Sequence, residues 1–193
     1  MELKTTYFDK PGRENTDNTL AIARQRAAEL GVKNIAVATT VGDTGAKAVD
    51  VFAGYKVIVV THTDGFRNPN TQELTTENRQ IIESKEGIIL TTTHAFGGIH
   101  RALGRGDGPP PPSLAMGDVI AMTLRTFGQG MKVALEIAAM AADAGLVRVD
   151  EDVISIGGTG RGADTAVLLQ PSYVHRFFET RVKEILCKPH FRG

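Results

Sequence analysis

The stretch Ile35 to Val49, I-A-V-A-T-T-V-G-D-T-G-A-K-A-V, decides how this chain is read. A short apolar run, Ile35 to Ala38, ends in Thr39 and Thr40. A turn bracketed by Gly42 and Gly45 follows, and a helical pattern begins at once. A strand, a tight turn and a helix start in that order place backbone N–H groups at a helix N-terminus, where the helix dipole also favours an anion. With the hydroxyls of Thr39, Thr40 and Thr44 and the amides of Thr44, Gly45 and Ala46, the stretch reads as a phosphate cradle. The G-x-x-x-x-G-K-[ST] spacing of a nucleotide-triphosphate loop is missing. The competing reading is an ordinary strand–helix connection in which Thr44 only caps its helix.

Composition narrows what such a cradle could serve. At 193 residues, 41% apolar and 23% charged, the chain has the length and balance of one globular domain. Lys+Arg and Asp+Glu both number 22, so no global field attracts nucleic acid or an anionic membrane. A phosphorylated small molecule becomes the expected partner, and a homo-oligomer is left open. The single cysteine, Cys187, excludes an intrachain disulfide and a multi-thiolate zinc site, and reads as a packed thiol. No metal site is expected. The N-terminus lacks an apolar signal region, and Lys132, Glu136 and Asp143 interrupt the most apolar segment, Met131 to Val147. That segment is expected to be a buried helix, and the protein cytoplasmic.

Outward from the cradle, periodicity places the other elements. Asn15, Thr16 and Asp17 offer caps to a helix whose Leu20, Ala23, Ala27 and Leu30 share one face and which stops at Gly31. The cradle helix runs to about Phe52, and Lys56 to Thr61 is a β-branched second strand. Thr75 or Thr76 caps a helix through Ile82, and Ile88 to Thr92 is a third strand. Residues 93–113 form an inserted segment dense in Gly and Pro, read as a lid or binding loop. Helices at about Met116–Thr126 and Met131–Ala144 lead to a fourth strand, Asp152 to Ile156, and a fifth, Thr165 to Leu169. The tail at about Val182 to Cys187 is left between strand and helix. Alternating strands and helices with nearly continuous apolar strands predict a three-layer α/β/α domain on a mainly parallel sheet. The link between the fourth and fifth strands is too short for a crossover, so that pair should be antiparallel.

A second glycine loop, Gly157 to Thr165, includes Gly158, Thr159, Gly160 and Arg161. Its G-x-G-x-x-A pattern is followed by a strand pattern, not a helix, so it is not a dinucleotide fingerprint. Arg161 could close over an anion. The loop could equally be a plain turn. His62 and His94 stand at the ends of the second and third strands, where open α/β sheets present ligand residues. They are expected, with Thr93 and Phe96, to wall a ring pocket. No catalytic residue is assigned from the sequence, since no nucleophile elbow or paired-carboxylate motif is present.

Two of these stretches carry a resemblance. I-A-V-A-T-T-V-G-D-T-G-A-K-A-V followed by Y-K-V-I-V-V-T, and D-E-D-V-I-S-I-G-G-T-G-R-G-A-D-T-A-V-L-L, resemble the C-terminal α/β domain of pyruvate kinase. The resemblance covers roughly Asn34–Leu90 and Met131–Leu169. It implies a mixed sheet in the order 3-2-1-4-5 of the five predicted strands, with strand 5 antiparallel and the two glycine loops adjoining. The sequence contains no catalytic barrel, Asp43 stands where that domain's phosphate turn usually carries a basic residue, and the 93–113 segment has no counterpart. The chain more nearly resembles stand-alone proteins of this domain type that are associated with flavin mononucleotide. The resemblance therefore implies FMN as cofactor, with its phosphate between the 39–47 and 157–165 loops. It leaves open a flavin-dependent oxidoreductase or a phosphometabolite-binding regulatory module, in each case without pyruvate kinase activity.

Overall fold

The computed structural model describes residues 2–98 and 115–190. Among the described residues, seven strands and five α-helices follow one another in this order: β1 (Thr6–Phe8), α1 (Thr16–Leu30), β2 (Asn34–Ala38), α2 (Asp43–Val51), β3 (Lys56–Val60), α3 (Thr76–Ser84), β4 (Ile88–Leu90), α4 (Met116–Arg125), α5 (Gln129–Asp143), β5 (Val153–Gly157), β6 (Thr165–Gln170) and β7 (Arg181–Pro189). The strands form one sheet in the order β1-β7-β6-β5-β2-β3-β4. The five strands expected from sequence are β2 to β6, in the expected order, with β5 and β6 antiparallel. Two strands extend that sheet at the β6 edge. β7 runs antiparallel to β6, and the N-terminal β1 lies parallel to β7. The tail is thus a strand, and the polar first residues supply another.

Strand alternation divides the core into two layers. Ile35, Val37, Val57, Val59, Ile154 and Ile156 face one side of the sheet, where Leu20, Ala23 and Ala27 of α1 and Ala48 and Val49 of α2 meet them. Ala36, Ile58, Val60 and Val153 face the other side, against Ala134, Leu135, Ala138 and Ala141 of α5. Ala-rich α5 is covered on nearly every face because small side chains let its backbone sit close to the sheet. Ser155, fully buried on β5, donates to the Ala134 carbonyl oxygen at 2.7 Å and so ties helix to strand.

Local chemistry sets the helix ends. Gly31 closes α1 in the left-handed conformation, and the Thr75 hydroxyl caps α3 by accepting the Asn78 N–H at 3.2 Å. Leu30 does not join the buried face of α1; it is exposed in the last turn. Among the described residues, no helix is long and apolar enough to cross a membrane. Of the inserted segment 93–113, only residues 93–98 are described. The sequence reading of its remainder as part of a lid or binding loop lies outside the described residues.

Candidate functional site

Between β2 and β5 the direction of strand addition reverses, and loops at the C-terminal ends of the parallel strands diverge to leave a crevice. A cavity of about 240 Å³ occupies it. Its walls come from elements far apart in sequence: Thr39, Thr40, Asp43 and Thr44 after β2, His62 and Phe66 after β3, and His94 after β4. Lys132, Glu136 and Met140 of α5 face the same space, as do Gly158, Gly160 and Arg161 after β5. Both glycine loops and both strand-end histidines of the sequence reading therefore reach one cavity.

The first glycine turn is built differently from the expectation. Thr39 Oγ1 accepts the N–H groups of Gly42 at 3.1 Å and Gly45 at 3.4 Å. The Thr44 N–H goes to Asp43 Oδ1 at 3.0 Å, and the Ala46 N–H to the Gly42 carbonyl at 2.8 Å. The three amides expected to hold a phosphate are thus satisfied within the turn. Gly42, Gly45 and Ala46 do not line the cavity. A Cβ on Gly45 would stand 2.6 Å from Val59 Cγ1 and 3.1 Å from Ile82 Cδ1, so glycine is needed there for α2 to press on the sheet. Loss of Gly45 would therefore disturb the core first, contrary to its expected role at the ligand. The surfaces this turn offers the cavity belong to Thr39, Thr40, Asp43 and Thr44.

The second glycine loop folds around a buried acid that the sequence reading passed over. Asp164 is fully buried; its Oδ2 accepts the N–H groups of Gly12 and Thr159, both at 3.1 Å, and its Oδ1 accepts the Thr165 hydroxyl at 2.8 Å. Thr165 then enters β6 as a strand, which is why the G-x-G-x-x-A pattern carries no dinucleotide helix. Thr159 does not line the cavity. Its Oγ1 is buried without a hydrogen-bond partner among the described residues.

Arg161 crosses the cavity mouth to Asp43 Oδ2 at 2.8 Å, with both side chains about half exposed. Burial pushes the Asp43 carboxyl up. The Arg161 hydrogen bond and the Thr44 amide more than offset this and hold it below the usual carboxylate range. An incoming anion must take Arg161 from Asp43. Asp43→Asn should therefore raise the affinity for inorganic phosphate about two- to fivefold, since exposed pairs of this kind are worth up to ~1 kcal/mol. Arg161→Ala should lower it by about tenfold or more. Calorimetric titration of the two variants checks both directions.

One end of the cavity is aromatic. The Phe66 ring stacks on His94 at 5.2 Å and 16°, and on His62 at 4.1 Å with a 31° tilt. Phe66, not Phe96, supplies the aromatic face. Phe96 is buried and does not line the cavity; it is edge-on to Phe177 at 5.0 Å, with Lys132 Nζ 5.7 Å from its ring centre. Thr93 faces a neighbouring hollow beside Ala95 and Gly98 instead.

Lys132 and Glu136, one helical turn apart on α5, form a buried ion pair on the cavity wall. Glu136 Oε1 also accepts the Phe96 N–H at 3.0 Å. Their i, i+4 spacing was the available sequence signal, but charges within an apolar run read equally well as a solvated stripe. Cys187 is buried away from this site, and burial pushes its thiol up to about 11, too high for a nucleophile near neutral pH.

Two comparisons bear on the chain's relatives. An O-ureido-L-serine synthase crystal structure shares 18% identity over 67% of this chain, with a TM-score of 0.31. The present chain spans 39% of that chain's length, and so loose an overlap carries no argument about fold or function. The family model for the pyruvate kinase alpha/beta domain matches residues 17–169, from α1 to the penultimate residue of β6. That span holds both glycine loops, the crevice between β2 and β5 and the five strands ordered as the resemblance implied, leaving β1 and β7 outside it. On that match over most of its length, the chain belongs to the pyruvate kinase alpha/beta domain family.

Proposed function

We propose that this protein binds a phosphorylated small molecule with a planar ring, flavin mononucleotide being the ligand that suits the cavity best. The supporting observation is that one cavity joins a cationic, hydroxyl-lined end to a stacked cluster of rings. Arg161, Thr40 and Thr44 line the first, and His62, Phe66 and His94 make up the second. An anion gains charge-assisted bonds at one end, and a flat ring gains an aromatic face at the other. The residues present fit both halves of such a ligand. Arg161 and the threonine hydroxyls would hold its phosphate, and Phe66 with the two histidines would hold its ring. Bound flavin would supply one- and two-electron redox chemistry. The chain's own part is to bind, to orient and to keep water from the ring.

Titration followed by flavin fluorescence tests the reading. Wild-type protein should quench FMN saturably, and riboflavin, lacking the phosphate, should bind more weakly. Phe66→Ala should weaken FMN binding about tenfold, the scale of a lost aromatic pair plus its contact area, and leave inorganic phosphate affinity unchanged. Equal losses for FMN and phosphate, or no saturable quenching, would overturn it.

A further inference from the structure

His62 is held as a side chain placed for chemistry is held. Its Nδ1 lies 2.6 Å from Glu73 Oε2, and the other Glu73 oxygen takes Arg67 Nε at 3.0 Å. The backbone is pinned as well, since the His62 carbonyl accepts from Gln72 Nε2 at 3.1 Å and from the Thr61 hydroxyl at 2.9 Å. Phe66 covers one face of the ring. A carboxylate can only accept, so the proton between the two residues sits on Nδ1, and in the neutral ring the lone pair is then on Nε2. The ring lines the cavity and keeps about a quarter of its side-chain surface open (27%), while Glu73 is more enclosed (17%). None of this is needed to stack a ligand ring, which an unpaired aromatic side chain does as well.

We infer that His62 is the proton-transfer group of this cavity, with Glu73 as its positioning residue. The inference rests on the reading of the cavity as a ligand site. The ligand class is a phosphorylated small molecule with a weakly acidic O–H or N–H beside a carbonyl. The ligand's X–H bond breaks, an Nε2–H bond forms, and the electron pair stays on X. The imidazolium keeps its second proton on Nδ1, facing the Glu73 carboxylate, and the reverse step returns the first. Lys132, ion-paired with Glu136, lines the same cavity from α5.

Carbethoxylation by diethyl pyrocarbonate, read residue by residue with mass spectrometry on the full chain, tests this without a known substrate. Exposed His175 serves as the internal reference. His62 should react at Nε2. In Glu73→Gln its limiting rate at alkaline pH should fall about tenfold relative to His175. Glu73→Asp should recover part of that loss, and circular dichroism checks the fold of each variant. An unreactive His62, or a rate indifferent to Glu73→Gln in a folded protein, overturns the inference. FMN should protect His62. A reactive, Glu73-dependent His62 in a protein that shows no FMN binding would uphold the pair and overturn FMN as the ligand.

Discussion

Gly157→Ala is expected to cost about 3 kcal/mol or more, a large share of the ~5–15 kcal/mol that holds a domain together. Gly157 ends β5 where α5 crosses it. A Cβ there would stand 2.3 Å from the Gly130 carbonyl oxygen and 2.9 Å from the Ala134 N–H nitrogen. Both are backbone atoms of α5, so no side-chain rotation relieves the clash and the helix must move. The Ala134 carbonyl already takes the Ser155 hydroxyl, which holds the helix against the strand. Movement of α5 would also shift Lys132 and Glu136, which face the cavity from it. Gly31→Ala is the comparison. It has a left-handed backbone but nothing within 4 Å, so it should cost only ~1 kcal/mol. Urea denaturation of both variants decides the point, and equal costs would mean that α5 is not held at contact distance.

Lys132→Met should destabilise the fold by about 3–5 kcal/mol, because it leaves the buried Glu136 carboxylate without its cation. The Phe96 N–H would still donate to Glu136 Oε1, which is too little to replace a full charge. The double variant Lys132→Met, Glu136→Gln removes both charges and keeps an acceptor for Phe96. It should recover most of that loss, since a buried pair contributes little net stability compared with neutral side chains of similar size. Anion affinity should not recover, because the cation on the cavity wall is gone. Denaturation and phosphate titration of single and double variants separate the two roles. A double variant with full phosphate affinity would confine Lys132 to packing.

The sequence by itself determined the elements whose signals are local. The β-branched run of β3, the cap at Thr75 and the stop at Gly31 each depend on a few neighbouring residues, and each stands where it was read. The antiparallel β5–β6 pair followed from a loop too short for a crossover. Tertiary structure decided the edge strands. β7 shifts register twice against β6, which breaks the period-2 alternation by which a strand is read, and β1 is only three residues long. It also decided what the glycine turns do. A glycine that bares a backbone amide and one that lets a helix touch a sheet look identical in sequence. Only the approach of Val59 and Ile82 shows that Gly45 is the second kind. The cavity drew most on long-range placement. Phe66, Lys132, Glu136 and Arg161 carry no common spacing, and Phe96, two residues from His94, does not line the cavity. Which side chains share a space depends on where the sheet brings distant loops together, and that is fixed by strand order and by the packing of α5, not by any one stretch.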